Sequence, residues 1–315
     1  MIPTAAALFE RLPRVMRRHR LMTAWMRLTG EDPLQLVRIR NESFGYADMS
    51  DGFLRLIVID GDFEKDFFNL ADAFLADGGV FLDAGANHGL LSFGLAGRHG
   101  DKIQFHLFEP NAKLILSIRK SLVLYPSMRC TLNAAAVSDR AGVVSFFVDH
   151  KQTGASHISN NGPNQVPSVT LDDYMERAEV SRVELLKMDV EGYELVALRG
   201  AKRSLETQAI QAIYFEYFEK CLIRVQAPRE LLEFLQSLEY EICFCRSSDI
   251  KSRGGATHTI RDGMPGHKVS LLPILGHQLP KMTDLLAVPR RNVVQLVDRA
   301  MSRTSASHGP TLLQR

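Results

Sequence analysis

The chain has 315 residues, 45% hydrophobic and 23% charged, with a net charge of +2 and four scattered cysteines (Cys130, Cys221, Cys243, Cys245). These figures exclude an intrinsically disordered, collagen-like or disulfide-scaffold protein and describe one large domain with additions, or two modest ones, in a reducing, cytoplasmic setting. The charge is uneven: six arginines face Glu10 in residues 1–30 and five face Asp298 in residues 285–315, so the middle is acidic and no nucleic-acid partner is expected.

In chain order, Ala5–Leu28 reads as a basic helix with Leu8, Leu12, Val15, Met22, Trp25 and Met26 roughly on one side. Such a helix packs on a core or makes peripheral contact with a membrane surface. Arginines interrupt every apolar stretch, which excludes a secretory signal but leaves a transit peptide open on composition. No apolar run is long enough to span a membrane. Val37–Arg40 and Leu54–Ile59 read as a hairpin, and Asp66–Ala76 as a helix ended by Gly78-Gly79.

From there strands and helices alternate. Strands are predicted at Val80–Asp83, Gln104–Phe108, Cys130–Val137, Leu185–Met188 and Ile210–Phe215, with helices at Leu90–Arg98, Ala112–Leu124, Glu194–Leu205 and Arg229–Ser237 between and after them. Tyr240–Phe244 and Lys268–Leu272 are candidate last strands. This alternation predicts a doubly wound, mostly parallel α/β sheet. A β-rich insertion, Val143–Val169, separates strands three and four. The expected organisation is a basic helical extension and first strand at 1–49, a catalytic domain at 50–275 and a basic, flexible tail at 276–315.

The strongest motif is Val80-Phe-Leu-Asp83-Ala-Gly85-Ala-Asn87-His-Gly89, a strand ending in an acid and a glycine turn that opens a helix. Asn87 takes the place of the middle glycine of a dinucleotide fingerprint. At the end of the next strand, Glu109 stands where a ribose diol would be read. Asp83 and Glu109 flanking the turn would repel a pyrophosphate but welcome a sulfonium nucleoside, which favours S-adenosylmethionine over NAD. Lys187-Met-Asp189-Val-Glu191-Gly-Tyr-Glu194 then delivers acids to the C-terminal end of a buried strand, and Glu216 ends the strand after it. Glu191 and Glu194 also suit a helix N-terminus. Asp189 and Glu216 could act as base towards a substrate hydroxyl or hold a divalent metal, and spacing does not separate the two. His157, in the insertion, is a third candidate base.

These runs, with Phe108-Glu-Pro-Asn111, Asn133-Ala-Ala-Ala-Val-Ser-Asp139 and Thr170-Leu-Asp-Asp173, closely resemble the FkbM-type methyltransferases over roughly residues 64–220. The resemblance implies a class I methyltransferase (Rossmann-like) fold, S-adenosylmethionine as cofactor, and O-methylation of a sugar, glycan or natural-product hydroxyl. It implies cofactor contacts at Asp83, Gly85, Asn87, Gly89, Glu109 and Asn111, with Asn133 to Ala135 near the adenine. His88 departs from the hydrophobic residue common there. Absent motifs argue against rivals: no Tyr-x-x-x-Lys, no P-loop, no Pro-Cys pair and no Asn/Asp-Pro-Pro-aromatic run occur. The alternatives are an NAD(P)-dependent reductase on a similar sheet, or a non-catalytic methyltransferase-like binding protein.

Overall fold

The computed structural model describes residues 18–40, 43–52, 54, 63–245, 258–261 and 268–292. In chain order its elements are α1 (Arg18–Thr29), β1 (Leu34–Arg40), β2 (Ser43–Asp48), α2 (Lys65–Phe74), β3 (Gly79–Ala84), α3 (Leu90–His99), β4 (Ile103–Phe108), α4 (Ala112–Leu122), β5 (Arg129–Asn133), β6 (Ala136–Val137), β7 (Gly142–Phe147), β8 (His157–Ile158) and β9 (Asn164–Val169). There follow α5 (Leu171–Arg177), β10 (Leu185–Met188), α6 (Glu194–Arg199), α7 (Lys202–Glu206), β11 (Ile213–Phe218), α8 (Glu219–Leu222), α9 (Pro228–Ser237), β12 (Tyr240–Phe244), β13 (His258–Arg261), β14 (Lys268–Pro273) and β15 (Met282–Pro289).

The main sheet runs β13-β14-β12-β15-β11-β10-β3-β4-β5. From β5 to β11 neighbouring strands are parallel; from β11 outward they are antiparallel. The apolar strand runs follow from burial on both faces. Phe81, Phe105, Leu185 and Tyr214 point into one core layer, while Leu82, Leu186, Phe215 and Leu285 point into the other. Each fully buried side chain of this size contributes about 1.5–3 kcal/mol. The chain winds outward from β3 through β4 to β5, then returns to β10 on the other side of β3. The strand order therefore reverses between β3 and β10, and their C-terminal ends open the crevice where doubly wound folds take ligands. The fold is the Rossmann-like class I arrangement expected.

Several boundaries differ. The expected strand Cys130–Val137 is two: the chain leaves the main sheet after Asn133, and β6 joins a four-stranded sheet, β6-β9-β7-β8, formed with the insertion. The helix expected over Glu194–Leu205 breaks at Gly200, where a Cβ would sit 2.0 Å from the Ser138 carbonyl oxygen. β1 pairs with β2, not with the run Leu54–Ile59; Leu54 is helical and residues 55–59 lie outside those described. The boundary drawn at 276 is corrected: Met282–Pro289 inserts between β11 and β12, because Leu285, Leu286, Ala287 and Val288 fill both faces of the sheet. The remainder of the expected tail, 293–315, lies outside the described residues. In α1, Met22 and Met26 are buried against the core, and Leu21, Trp25 and Leu28 face out. No described helix is long and apolar enough to cross a membrane.

Candidate active site

Lys187 organises the crevice floor. Parallel pairing sets it beside Asp83, and its Nζ donates to the Gly85 carbonyl (2.7 Å) while lying 3.5 Å from Asp83 Oδ1 and 3.4 Å from Asp189 Oδ2. Burial would lower this ammonium, but the Asp189 and Asp83 charges hold it above its ordinary value. Asp83 is wholly buried, its Oδ2 taking the Ser92 hydroxyl at 2.7 Å. Gly85 has φ 78°, and a Cβ there would fall 1.9 Å from the Asp189 carbonyl oxygen. The glycine thus lets β3 and β10 turn away side by side.

Beyond the turn, Glu109 accepts from the backbone N–H of Asn87 through Oε2 and of Asn111 through Oε1, both at 2.8 Å. Burial pushes its carboxyl up to about 7 against those two bonds. Two cavities open here. The smaller is lined by Gly85, Asn87, Glu109, Ala135, Val137 and His157, among others. The larger, about 420 Å³, is lined by Asp51, His88, Lys187, Glu216, Phe218 and Asp284, among others. They meet at Asn87, Thr153, Gly154, Asp189 and Glu191, which line both.

The acids gather at this junction. Oxygens of Asp189, Glu191 and Glu216 lie within 4.8 Å of one another, a set that could hold a divalent cation. Burial and then the Asp189 charge push Glu191 up to about 8. Burial, then Asp189, Glu191 and Asp284, push Glu216 up to about 9. Glu191 is not a helix acid: it sits at φ 56° in the turn before α6. Glu194 does begin α6, and its Oε1 accepts from Val190 N (3.1 Å) and Gly192 N (3.2 Å), folding that turn.

Of the expected cofactor residues, Gly85, Asn87 and Glu109 line the smaller cavity. Asp83, Gly89, Asn111 and Asn133 line neither and build its frame instead. Asp83 is held by Ser92 and Lys187. Gly89 is the left-handed residue before α3. The Asn111 side-chain oxygen caps α4 by accepting from Lys113 N (3.0 Å). Asn133 Nδ2 donates to the Leu107 carbonyl (3.1 Å) and the Tyr174 hydroxyl (3.2 Å). Among the candidate bases, Asp189 and Glu216 come together but His157 does not join them. Its Nδ1 donates to the Ala155 carbonyl (2.9 Å), and its ring lies in the smaller cavity, 5.5 Å from Phe147. His88 is buried, bound to the Ser117 hydroxyl at 2.7 Å and pushed down to about 4 by burial, so it is neutral. Asp51 and Asp284 come from outside every motif, and no spacing signal pointed to them.

A family model described as the methyltransferase FkbM domain matches residues 83–242, half of the chain. The chain belongs to the FkbM methyltransferase family. It is an S-adenosylmethionine-dependent methyltransferase, as its motifs implied. Among relatives, it is 29% identical to the 2-O-methyltransferase NoeI of Sinorhizobium fredii, over 53% of this chain and 75% of that protein. It is 27% identical to the hexuronic acid methyltransferase AglP of Haloferax volcanii, over 38% of this chain and 47% of that protein. Among solved structures, a precorrin-6y C5,15-methyltransferase from Geobacter metallireducens is 14% identical with a TM-score of 0.37, covering 71% of this chain and 88% of that one, too distant to bear on function. Asp51 and Asp284 of this FkbM methyltransferase fall outside the matched span.

Proposed function

We propose that this FkbM methyltransferase methylates a hydroxyl of a sugar, glycan or related natural product. The observation that carries the reading is the pair of cavities meeting at Asp189 and Glu191. The smaller has no lysine or arginine among its described lining residues, while Glu109, Asp189 and Glu191 all reach it. That donor set fits a sulfonium nucleoside and opposes a pyrophosphate, which counts against the NAD(P) alternative. NoeI and AglP, whose names specify 2-O-methylation and a hexuronic acid, support a carbohydrate hydroxyl as acceptor.

S-adenosylmethionine supplies an electrophilic methyl group on a sulfonium. Glu109 would accept from ribose hydroxyls with the lone pairs its backbone partners leave free. Ala135 and Val137 offer an apolar wall for the adenine. The Asp189 carboxylate would favour positive charge at the junction. The acceptor hydroxyl would enter the larger cavity, and Asp189, or Glu216 once ionised, would take its proton as the methyl carbon bonds the hydroxyl oxygen, its bond to the sulfonium sulfur breaks and the neutral thioether leaves. A carboxylate held near 9 is a far stronger base than an ordinary one once it is ionised. Alignment supplies the remainder of the rate. The grouping of three carboxylates favours a second reading of the same residues, as ligands of a divalent cation; EDTA treatment followed by Mg²⁺ addition separates the two.

The test is calorimetric titration with S-adenosylmethionine and, separately, NADPH, followed by transfer of labelled methyl to a panel of glycosides. Binding of S-adenosylmethionine alone, with label on a glycoside hydroxyl, is expected. Binding of NADPH alone would overturn the reading.

A further inference from the structure

The loop between β7 and β8, residues 148–156, forms the wall between the two cavities. Thr153 and Gly154 line both, while Ser156, with His157 and Ile158 beyond it, lines the smaller. Most of its hydrogen bonds are internal. Asp149 Oδ1 accepts from Lys151 N (2.7 Å) and Gln152 N (2.9 Å), and Asp149 N donates to the Ser156 hydroxyl (3.1 Å). Ala155 N returns to the Gln152 carbonyl, and Ser156 N to that of Thr153.

Among the described residues, apart from the bond between Ala155 and the adjoining His157, the loop's hydrogen bonds to the rest of the protein run through Thr153. Asp51, 102 residues away and just after β2, accepts through Oδ2 from both Thr153 N (2.7 Å) and Thr153 Oγ1 (2.9 Å). Its Oδ1 accepts from Leu54 N (3.1 Å), so one buried carboxylate joins the N-terminal segment to the loop. The clasp sets Thr153 Oγ1 3.5 Å from Asn87 Oδ1, and Gly154 lies against the Asn87 amide. A packing contact needs no carboxyl group with three donors converging on it, and hydrogen bonds to a carboxylate are among the stronger ones.

We infer that Asp51 is a positioning residue for the cofactor: it clasps the β7–β8 loop across the smaller cavity and slows cofactor escape. This rests on the reading of that cavity as the S-adenosylmethionine site. Asp51 touches the loop, not the reacting atoms, and it lies outside the span matched by the family model. The device is thus contributed by the segment before the matched span.

The experiment compares wild type, Asp51→Asn, Thr153→Val and the double variant by stopped-flow and calorimetric binding of S-adenosylmethionine and S-adenosylhomocysteine, well below each variant's melting temperature. The clasp predicts a Kd raised roughly 10- to 100-fold in Asp51→Asn, the effect of a charged hydrogen bond. The change should sit in the dissociation rate, and Thr153→Val should show a smaller effect of the same kind. The double variant should be no worse than Asp51→Asn, because both remove one contact. A merely structural aspartate would lower the melting temperature and leave dissociation from the folded protein unchanged, which overturns the inference. Should Asp51→Asn fail to fold, an unchanged dissociation rate in Thr153→Val overturns it equally. Wild type that binds neither ligand would defeat the cofactor reading itself; wild type that binds both, with variants that bind alike, defeats only the clasp.

Discussion

Glu216 and Asp284 stand directly opposite each other across the antiparallel ladder of β11 and β15, and both line the larger cavity. Like charges at such a position destabilise a sheet. Glu216 responds by holding its proton up to about 9, through burial and the Asp189, Glu191 and Asp284 charges. With the folded pKa raised above the unfolded one, folding is favoured below the unfolded value and loses that advantage as pH rises towards 9. Glu216→Gln should therefore melt a few degrees higher than wild type at pH 8, and lose the difference at pH 4. Methyl transfer by the same variant should fall by roughly 10²-fold or more if Glu216 is the base. Differential scanning calorimetry in metal-free buffer, beside a transfer assay, checks both signs. A variant that gains no stability at pH 8 would show that Asp284 and Glu216 are not in conflict.

On the proposed reading of Glu109 as the ribose acceptor, cofactor affinity should be sensitive to pH. Its carboxyl is held up to about 7, so an appreciable share is protonated at neutral pH. The ionised form is the better acceptor for a ribose diol. Affinity for S-adenosylmethionine should weaken as pH falls from 8 to 6, and Glu109→Ala should weaken it roughly tenfold or more at pH 8. The pH dependence should vanish in the variant. Calorimetry at the two pH values decides this, and a dependence that persists in Glu109→Ala rules Glu109 out as its source.

Gly85→Ala separates the structural demand of the glycine turn from its ligand-facing role. A methyl group there would meet the Asp189 carbonyl oxygen at 1.9 Å, at a left-handed φ of 78°. Strain and overpacking together should cost about 3 kcal/mol or more. Gly100→Ala has a comparable φ of 61° with open space around it, and serves as the control for backbone strain alone. Urea denaturation should place the two well apart, with Gly85→Ala much the less stable. Equal losses would mean that β10 shifts freely and that Asp189 is not pinned by the turn.

The sheet was legible because its strands are buried on both faces and bounded by glycine or acid, as in Val80–Asp83 and Leu185–Met188. Asp189 was legible for the same reason, since a strand that stops at Met188 presents the next residue at the crevice; β11 instead runs on to Phe218, and Glu216 reaches the cavity from within the strand. Strand β15 was not, because Leu285–Val288 is a short apolar run beside a basic, serine-rich stretch, and only the tertiary fit between β11 and β12 identifies it. The sequence also could not separate residues that touch a cavity from those that frame it. Asn111 and Asn133 carry family motifs yet spend their side chains on a helix cap and on a carbonyl. Asp51 was silent because its partner is 102 residues away, and spacing arguments work within a turn or two.

The N-terminal hairpin that places Asp51 is itself fastened by a buried ion cluster, which supplies a last test. Asp72 on α2 is buried and pairs with Arg40 of β1 (2.8 Å), Arg98 (2.9 Å) and His99 of α3 (2.9 Å). Burial alone would raise its carboxyl, but the bonds from His99 and Arg40 and the arginine charges hold it below its ordinary value. A depressed folded pKa means stability that is present above the unfolded value near 3.8 and disappears as pH falls through the folded one. Asp72→Asn removes the carboxylate that the Arg40 and Arg98 guanidinium groups share, so it should lose about 3–5 kcal/mol at pH 7. The gap from wild type should narrow as pH approaches 3, where wild type surrenders the same charge. Urea denaturation at pH 7, 5 and 3 measures it. A gap that stays constant over that range would show that the Asp72 carboxylate contributes shape and not charge.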